Sequence, residues 1–206
     1  RRPLQGFGMM EAGLTVFSAP FVMALLRVQR GNLTWLELNK NCLSDIFLNV
    51  IASRLKECRR LVALGLGCTF LTPQSLEILA DVLASCPSLQ VLRIFGNDFR
   101  LSADGMYSQF ANAILQCPQL HIIQVPGREL VDDHLARLLD AAAAAKPLHI
   151  TYMHVTAQAC SECDGARMHA HANYSLTDIL NVLRARRACD GEQLAQTQQI
   201  KTEITV

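Results

Sequence analysis

Leu33-Thr34-Trp35-Leu36-Glu37-Leu38-Asn39-Lys40-Asn41-Cys42-Leu43 sets leucine at its first, fourth, sixth and eleventh positions and asparagine at its ninth. The spacing returns 28 residues later at Leu61, Leu64, Leu66, Thr69 and Leu71, and after another 28 at Leu89, Leu92, Ile94, Asn97 and Phe99. A fourth copy follows after 31, at Leu120, Ile123, Val125, Arg128 and Leu130. A weaker fifth comes 28 later, at Leu148, Thr151, Met153 and Thr156, and a degenerate one stands 29 before Leu33, at Leu4, Phe7, Met9 and Leu14. A period of this length is the mark of a repeat architecture. Within each copy the alternation Leu36-Glu37-Leu38 predicts a short strand with one buried face. The asparagine beyond it is suited to bond backbone groups where the chain leaves the strand.

A helix is expected after each strand. Thr72 reads as an N-cap and Pro73 as a first helical residue. Leu76, Leu79, Ala80 and Leu83 then fall on one face. Equivalent faces are Phe21/Leu25/Val28, Leu48/Ile51/Leu55, Met106/Phe110/Ala113/Ile114 and Leu135/Leu138/Leu139/Ala142. No single strand–helix unit can bury its own apolar face, so the units must stack.

The composition agrees. Half of the 206 residues are hydrophobic and 18% charged, which excludes a disordered chain. With 6% aromatics, aliphatic side chains must fill the core. Nineteen Lys and Arg against 18 Asp and Glu lack the basic excess of a nucleic-acid binder, so nucleic acid is not expected as a direct main ligand. No apolar run reaches the roughly 18 residues that span a bilayer, since Pro20 and Arg27 interrupt the richest stretch, and no membrane association is expected. No signal peptide follows Arg1-Arg2-Pro3, and the missing initiator Met fits a fragment or a processed product.

On these motifs the chain resembles the ribonuclease-inhibitor-like class of leucine-rich repeats. Leu89-Gln90-Val91-Leu92-Arg93-Ile94-Phe95-Gly96-Asn97 and the helix-ending Ala84-Ser85-Cys86-Pro87-Ser88-Leu89 carry the likeness. It covers about residues 4–158, with 175–188 as a closing helix. The resemblance implies an α/β solenoid, a horseshoe of about six repeats, with parallel strands on a concave face and helices on the convex side. It implies protein binding, the property shared by ribonuclease inhibitor, the GTPase-activating protein of Ran, tropomodulin and innate immune sensors. The repeat domain is expected over 1–188, with a polar tail over 189–206.

In strands with leucines inward, alternate residues point to the concave side. The first column is Gly6, Trp35, Ala63, Val91, Ile122 and Ile150. The second is Gly8, Glu37, Gly65, Arg93, Gln124 and Tyr152; the third is Met10, Asn39, Gly67, Phe95, Pro126 and His154. The expected partner-binding residues are Trp35, Glu37, Asn39, Val91, Arg93, Phe95, Ile122, Gln124, Ile150, Tyr152 and His154. Trp35, Phe95, Arg93 and Tyr152 are the anchors, being of the types enriched at hot spots. The bland reading is that the apolar first column packs on loops at the strand edge. Gly65 and Gly67 are expected to leave a shallow place where a partner backbone approaches.

Cys58, Cys86 and Cys117 share one repeat position, as small core fillers would, and Cys42 and Cys68 read likewise. Reduced core thiols imply an intracellular, cytoplasmic protein. Cys160, Cys163, His169 and His171 fall in an insertion of about 13 residues, near 159–172. They could bind one zinc ion as a Cys2His2 set, although the His-x-His spacing departs from the usual pattern; the alternative is a surface loop without metal. No cofactor is otherwise expected, and no catalytic residue is named. Lys56, Arg59 and Arg60 form a basic run at a helix end, where cations suit the dipole. Ser175-Leu176-Thr177-Asp178 resembles a capping box. Leu4 begins directly at a strand, so further repeats or another protein are expected over that end.

The function expected is a noncatalytic protein-interaction scaffold, a subunit or recognition module of an intracellular assembly with unidentified protein partners. The alternatives are a regulator of an enzyme, of GTPase-activating or inhibitor type, and a zinc- or thiol-dependent activity at the inserted loop.

Overall fold

The computed structural model describes residues 4–100 and 104–153. The chain divides into two units, Arg1–Gly165 and Ala166–Val206, and every described residue belongs to the first. Six strands alternate with five helices among these residues. They run β1 (Gly6–Gly8), α1 (Ala19–Gln29), β2 (Trp35–Glu37), α2 (Ser44–Leu55), β3 (Ala63–Gly65), α3 (Ser75–Ser85), β4 (Val91–Arg93), α4 (Asp104–Gln116), β5 (Ile122–Pro126), α5 (Asp133–Ala145) and β6 (His149–Met153). The strands form one sheet in chain order, every neighbouring pair parallel. This is an α/β fold. Its register follows the sequence period, with Leu36 beside Leu64, Leu64 beside Leu92 and Leu92 beside Ile123.

The leucine pattern fills the core as expected. Leu33, Leu36, Leu38 and Leu43 are buried, as are their counterparts in the next two units. Phe47, Leu48, Ile51 and Leu55 of α2 and Leu76, Leu79, Ala80 and Leu83 of α3 meet them from the helical layer. Phe110, Ala113 and Ile114 of α4 and Leu135, Leu139 and Ala142 of α5 do the same; Met106 and Leu138 are half-buried. The pattern left out Tyr107, which is fully buried because its hydroxyl donates to Phe99 O at 3.0 Å.

Three strand residues give few ladder bonds, and the turns extend them. Lys40 N donates to Gly67 O and Cys68 N to Phe95 O, both at 2.7 Å. The asparagines then join whole units. Asn41 Oδ1 accepts from Ala12 N and Leu14 N of the preceding unit, while its Nδ2 donates to Met9 O and Leu38 O. Asn97 repeats the arrangement, accepting from Thr69 N and Leu71 N and donating to Leu66 O and Ile94 O. Thr69 at the intervening position has one hydroxyl, which donates to Leu66 O at 2.6 Å. The residue ahead of each ladder position takes a left-handed conformation: Glu11, Lys40, Cys68 and Gly96, with φ of 53°, 57°, 53° and 64°. Only Gly96 does so without a Cβ penalty, which is about 1–2 kcal/mol for other residues.

The repeated thiols lie one above another in the core. Cys58 Sγ donates to Arg54 O and Cys86 Sγ to Leu55 O, both at 3.5 Å. Burial pushes the Cys58 thiol up to about 11; burial and then the adjoining Cys58 and Cys117 push Cys86 up to about 12. Cys42 and Cys68 are half-buried in their turns and are not core fillers, contrary to expectation.

Three other expectations need correction. Regular helix begins at Ser75, not at Pro73, after a tight turn in which Ser75 N donates to Thr72 O and Leu76 N to Pro73 O; the Thr72 hydroxyl accepts from Gln74 N at 3.4 Å, as an N-cap does, and donates to Asp45 Oδ2 of the preceding unit at 2.6 Å. The buried stripe of α1 is Ala19, Val22 and Leu26; Phe21 and Val28 are 55% and 67% exposed. Phe17 to Val28 is apolar nearly all round, and α1 has a helical neighbour, α2, on one flank only among the described residues. The smaller stripe therefore packs inward, and Phe21 rests 6.1 Å from the Phe7 ring. Finally, Ile122 pairs with His149, not Ile150. Three residues connect α5 to β6 where five connect α3 to β4 and α4 to β5. Pro147 holds Lys146 extended, with φ −147° and ψ 162°, so the strand starts early. A one-residue slip turns every side chain of β6 over. The expected boundary at 188/189 and the Ser175 capping box lie outside the described residues.

The asparagine bridges yield a graded expectation. Asn97→Ala removes four backbone partners and should cost about 3 kcal/mol or more, because buried donors and acceptors lose their bonds. Asn97→Asp keeps the acceptor but sets a buried carboxylate oxygen against Leu66 O and Ile94 O, so it should cost at least as much, and Gly96→Ala about 1–2 kcal/mol. Urea unfolding checks the order. A loss at Asn97→Ala no greater than at the exposed Asn49→Ala would contradict it.

Candidate functional site

The sheet face turned away from the helices is built by the residues flanking each buried strand leucine. Trp35, Ala63, Val91 and Ile122 stand side by side, as do Glu37, Gly65, Arg93 and Gln124. Trp35 is 44% exposed and Ile122 37%, so the apolar first column is open to solvent at both ends. It ends at Ile122, because His149 takes the next place.

The glycines on this face are covered by neighbouring side chains. The Trp35 indole lies across Gly6 and Gly8, where a Cβ at Gly8 would sit 2.9 Å from the ring. Phe95 lies back over Gly67, 2.5 Å from where a Cβ would stand. Glu37 extends over Gly65, where an added Cβ would meet its carboxylate. The expected shallow place at Gly65 and Gly67 is therefore filled. Across Gly65, Arg93 Nη1 donates to Glu37 Oε2 at 2.8 Å, joining β2 to β4 over β3. Burial raises the Glu37 carboxyl above its ordinary value, and the Arg93 charge and hydrogen bond oppose that rise.

Asn39, expected at the surface, is 4% exposed. Its Oδ1 accepts from Gly67 N at 2.6 Å and its Nδ2 donates to Glu37 Oε1, so it supports the face from below. Thr34, Trp35, Glu37, Val62, Ala63 and Arg93 enclose an open depression of about 500 Å³. The small Ala63 side chain between Trp35 and Val91 makes the room.

Two expected contacts lie elsewhere. Ile150 and Tyr152 pack against the core, on the other side of β6, as a result of the slipped register. The Tyr152 hydroxyl donates to Asp140 Oδ1 at 3.2 Å, and Arg128 lies 4.1 Å over its ring and 2.7 Å from Asp140. Burial and then Asp140 push the Tyr152 hydroxyl up to about 12. This cluster fastens β6 to α5. Lys146 fastens the previous helix, donating to Ile114 O and Cys117 O at the end of α4. His154 and the expected zinc ligands Cys160, Cys163, His169 and His171 lie outside the described residues. Among those described, no three His, Cys, Asp or Glu side chains come together as a metal site. Nor is any described helix long and apolar enough to cross a membrane.

With this geometry in place, comparison with solved structures gives a likeness. The actin-binding site 2 of leiomodin-1 matches with a TM-score of 0.55 at 14% identity, covering 68% of this chain and 79% of that one. Identity this low speaks for the fold alone. No family model matches the sequence, and no curated protein sequence does.

The residues that sequence reasoning missed were the glycines as seats for larger neighbours. The signal was present: each glycine of the three columns stands beside Trp35, Glu37 or Phe95 in register. The Glu37–Arg93 contact gives a pH expectation. A carboxyl raised in the folded state binds its proton more tightly there than in the unfolded chain. It therefore lowers stability as pH rises through the carboxyl range. Arg93→Met removes the opposing charge, so that variant should lose more stability than wild type between about pH 4 and about pH 7. Glu37→Gln in the same background should abolish the difference. Urea unfolding against pH checks this, and identical profiles for wild type and Arg93→Met would contradict it.

Proposed function

We propose that the chain is a noncatalytic protein-binding module of the leucine-rich-repeat kind, a horseshoe solenoid, working as a subunit or recognition element of a larger assembly. The observation that carries the reading is the open face with Trp35 and Ile122 exposed, Phe95 laid over Gly67 and Arg93 between them. Aromatic and arginine side chains on a rigid sheet are the types that anchor protein interfaces, because they bring large contact area with little rotamer freedom to lose. The in-register strands with a period near 28 support the leucine-rich-repeat assignment. An intracellular, cytoplasmic setting is part of the same proposal; it is supported by Cys58, Cys86 and Cys117, which are buried without disulfides.

A second reading is favoured by one observation. The structurally similar leiomodin-1 segment is an actin-binding site, so actin is the first candidate partner to test.

Affinity capture from the source cells, with partners quantified by mass spectrometry, tests the main reading. Trp35→Ala/Phe95→Ala should lose a defined set of partners that wild type and Phe70→Ala retain; Phe70 is an exposed aromatic outside the strands. The same set on all three baits would contradict the assignment of this face. Co-sedimentation with filamentous actin and gel filtration with monomeric actin test the second reading, which fails if neither shows a complex.

A further inference from the structure

The charge on one edge of the molecule exceeds what its helices require. Cations and carboxylates nearly cancel over the whole chain, 19 against 18, yet the last turns of α1 and α2 and the segments just beyond hold Arg27, Arg30, Arg54, Lys56, Arg59 and Arg60. Their described acidic neighbours are two. Glu57 is shared by Arg54 at 2.6 Å and Arg30 at 3.2 Å, and Asp81 meets Lys56 at 2.7 Å. The hydrogen bonds from Arg54 and then Arg30 hold the Glu57 carboxyl below its ordinary value, so it is ionised at neutral pH. Arg27, Arg59 and Arg60 are exposed and form no ion pair among the described residues. Each helix C-terminus offsets about half a positive charge. An excess of roughly three positive charges remains on this edge after the two carboxylates and both helix ends are counted.

This edge adjoins the depression beside Trp35 along the chain. Arg60 stands two residues ahead of Val62, which lines the depression with Ala63, so the two Cα atoms are within about 8 Å of each other. Arg30 stands four residues ahead of Thr34 on the same side of β2. The depression supplies an apolar seat, and the rim supplies guanidinium groups whose planar forks match carboxylates.

We infer that the Arg59–Arg60 rim and the Trp35 depression together form one docking surface for an acidic peptide segment of a protein partner. An apolar side chain of the segment sits over Ala63 and Val62 against the Trp35 ring, and neighbouring carboxylates meet Arg59 and Arg60. A peptide fits better than nucleic acid. Three uncompensated cations fall short of the roughly six to ten phosphate contacts of a typical duplex binder, and Glu37 stands in the wall of the depression. A lipid surface fits less well, because Val62 and Ala63 are half-buried and recessed rather than protruding. This inference rests on the reading of the sheet face as a protein-binding surface.

Trp35 is the sole tryptophan of the chain, so its emission reports on the site directly. The full chain is titrated with a short synthetic peptide in which aspartates and glutamates flank a central Leu-Phe pair. The comparison peptide carries serine at every acidic position; an oligouridylate and phosphatidylserine-containing vesicles complete the set. The acidic peptide should shift Trp35 emission to the blue and shield it from iodide, with an affinity that falls as salt is raised. Arg59→Glu/Arg60→Glu should weaken it roughly tenfold or more, as expected for reversing charges that meet carboxylates, and leave the serine peptide unchanged. Circular dichroism confirms that this surface variant is folded. An unmoved Trp35 emission, an affinity indifferent to charge reversal, or tighter binding of the oligouridylate or the vesicles than of the peptide would each overturn the inference. If the peptide fails while Trp35→Ala/Phe95→Ala still loses native partners, this inference falls and the broader reading stands; if that variant keeps its partners, the broader reading falls as well.

Discussion

The first four strands are tied to one another by side-chain amides buried between consecutive strand–helix units. Strands of three residues contribute too few ladder bonds to fix a parallel sheet, and parallel pairing is the weaker kind per residue. Asn41 and Asn97 each collect backbone donors and acceptors from two units at once. The turn groups they satisfy would otherwise be buried without partners. Among the described residues no buried side-chain polar atom is left unpaired. The same bridges explain why the chain tolerates left-handed backbone at Glu11, Lys40 and Cys68. The turn geometry is held at Glu11 and Cys68 by the asparagine of the next unit, and at Lys40 by Asn41 itself, and the local strain is a small cost beside several buried hydrogen bonds.

The stacking that results has consequences on both sides of the sheet. On the helical side, leucines and thiols recur at fixed heights, and contacts between units are made by single side chains reaching across: Asp45 to Thr72, Lys146 to the end of α4. On the other side, residues of different strands meet that no local pattern could pair. Glu37 and Arg93 are 56 residues apart, and they touch because Gly65 between them has no side chain. The glycines thus leave a base on which Trp35, Glu37 and Phe95 lie down.

Much of the fold was legible in the sequence, for a physical reason. A unit that repeats must place the same residue type in the same environment each time, so leucine spacing alone located β1 to β5 and the ladder asparagines. Legibility failed where the environment stopped repeating. Helix α1 has one helical flank among the described residues, and its apolar surface goes almost all the way round, so the period could not say which stripe turns inward. Strand β6 follows a shortened connection at Pro147, and a period-two element gives no warning of a one-residue slip. Of the candidate site, Trp35, Glu37, Val91, Arg93, Phe95, Ile122 and Gln124 were assigned to the correct face. Asn39 was not recognised as a support, since burial of a polar residue depends on partners in the next unit. The basic edge was read as ordinary helix-end charge because the depression beside it exists only once β2, β3 and β4 are paired.

Backbone amide exchange, read residue by residue, tests the central claim most directly. The amides of Leu14, Thr69 and Leu71 lie in turns, where exchange is ordinarily fast, yet each donates to a buried asparagine oxygen. If the amide bridges hold the units together, these three should be protected to the level of sheet-bonded amides such as Leu66, just beyond β3, and should open with them in one cooperative step. Exchange at the rate of an unprotected loop at these positions, with the strands still protected, would show that the sheet stands without them and would contradict the account.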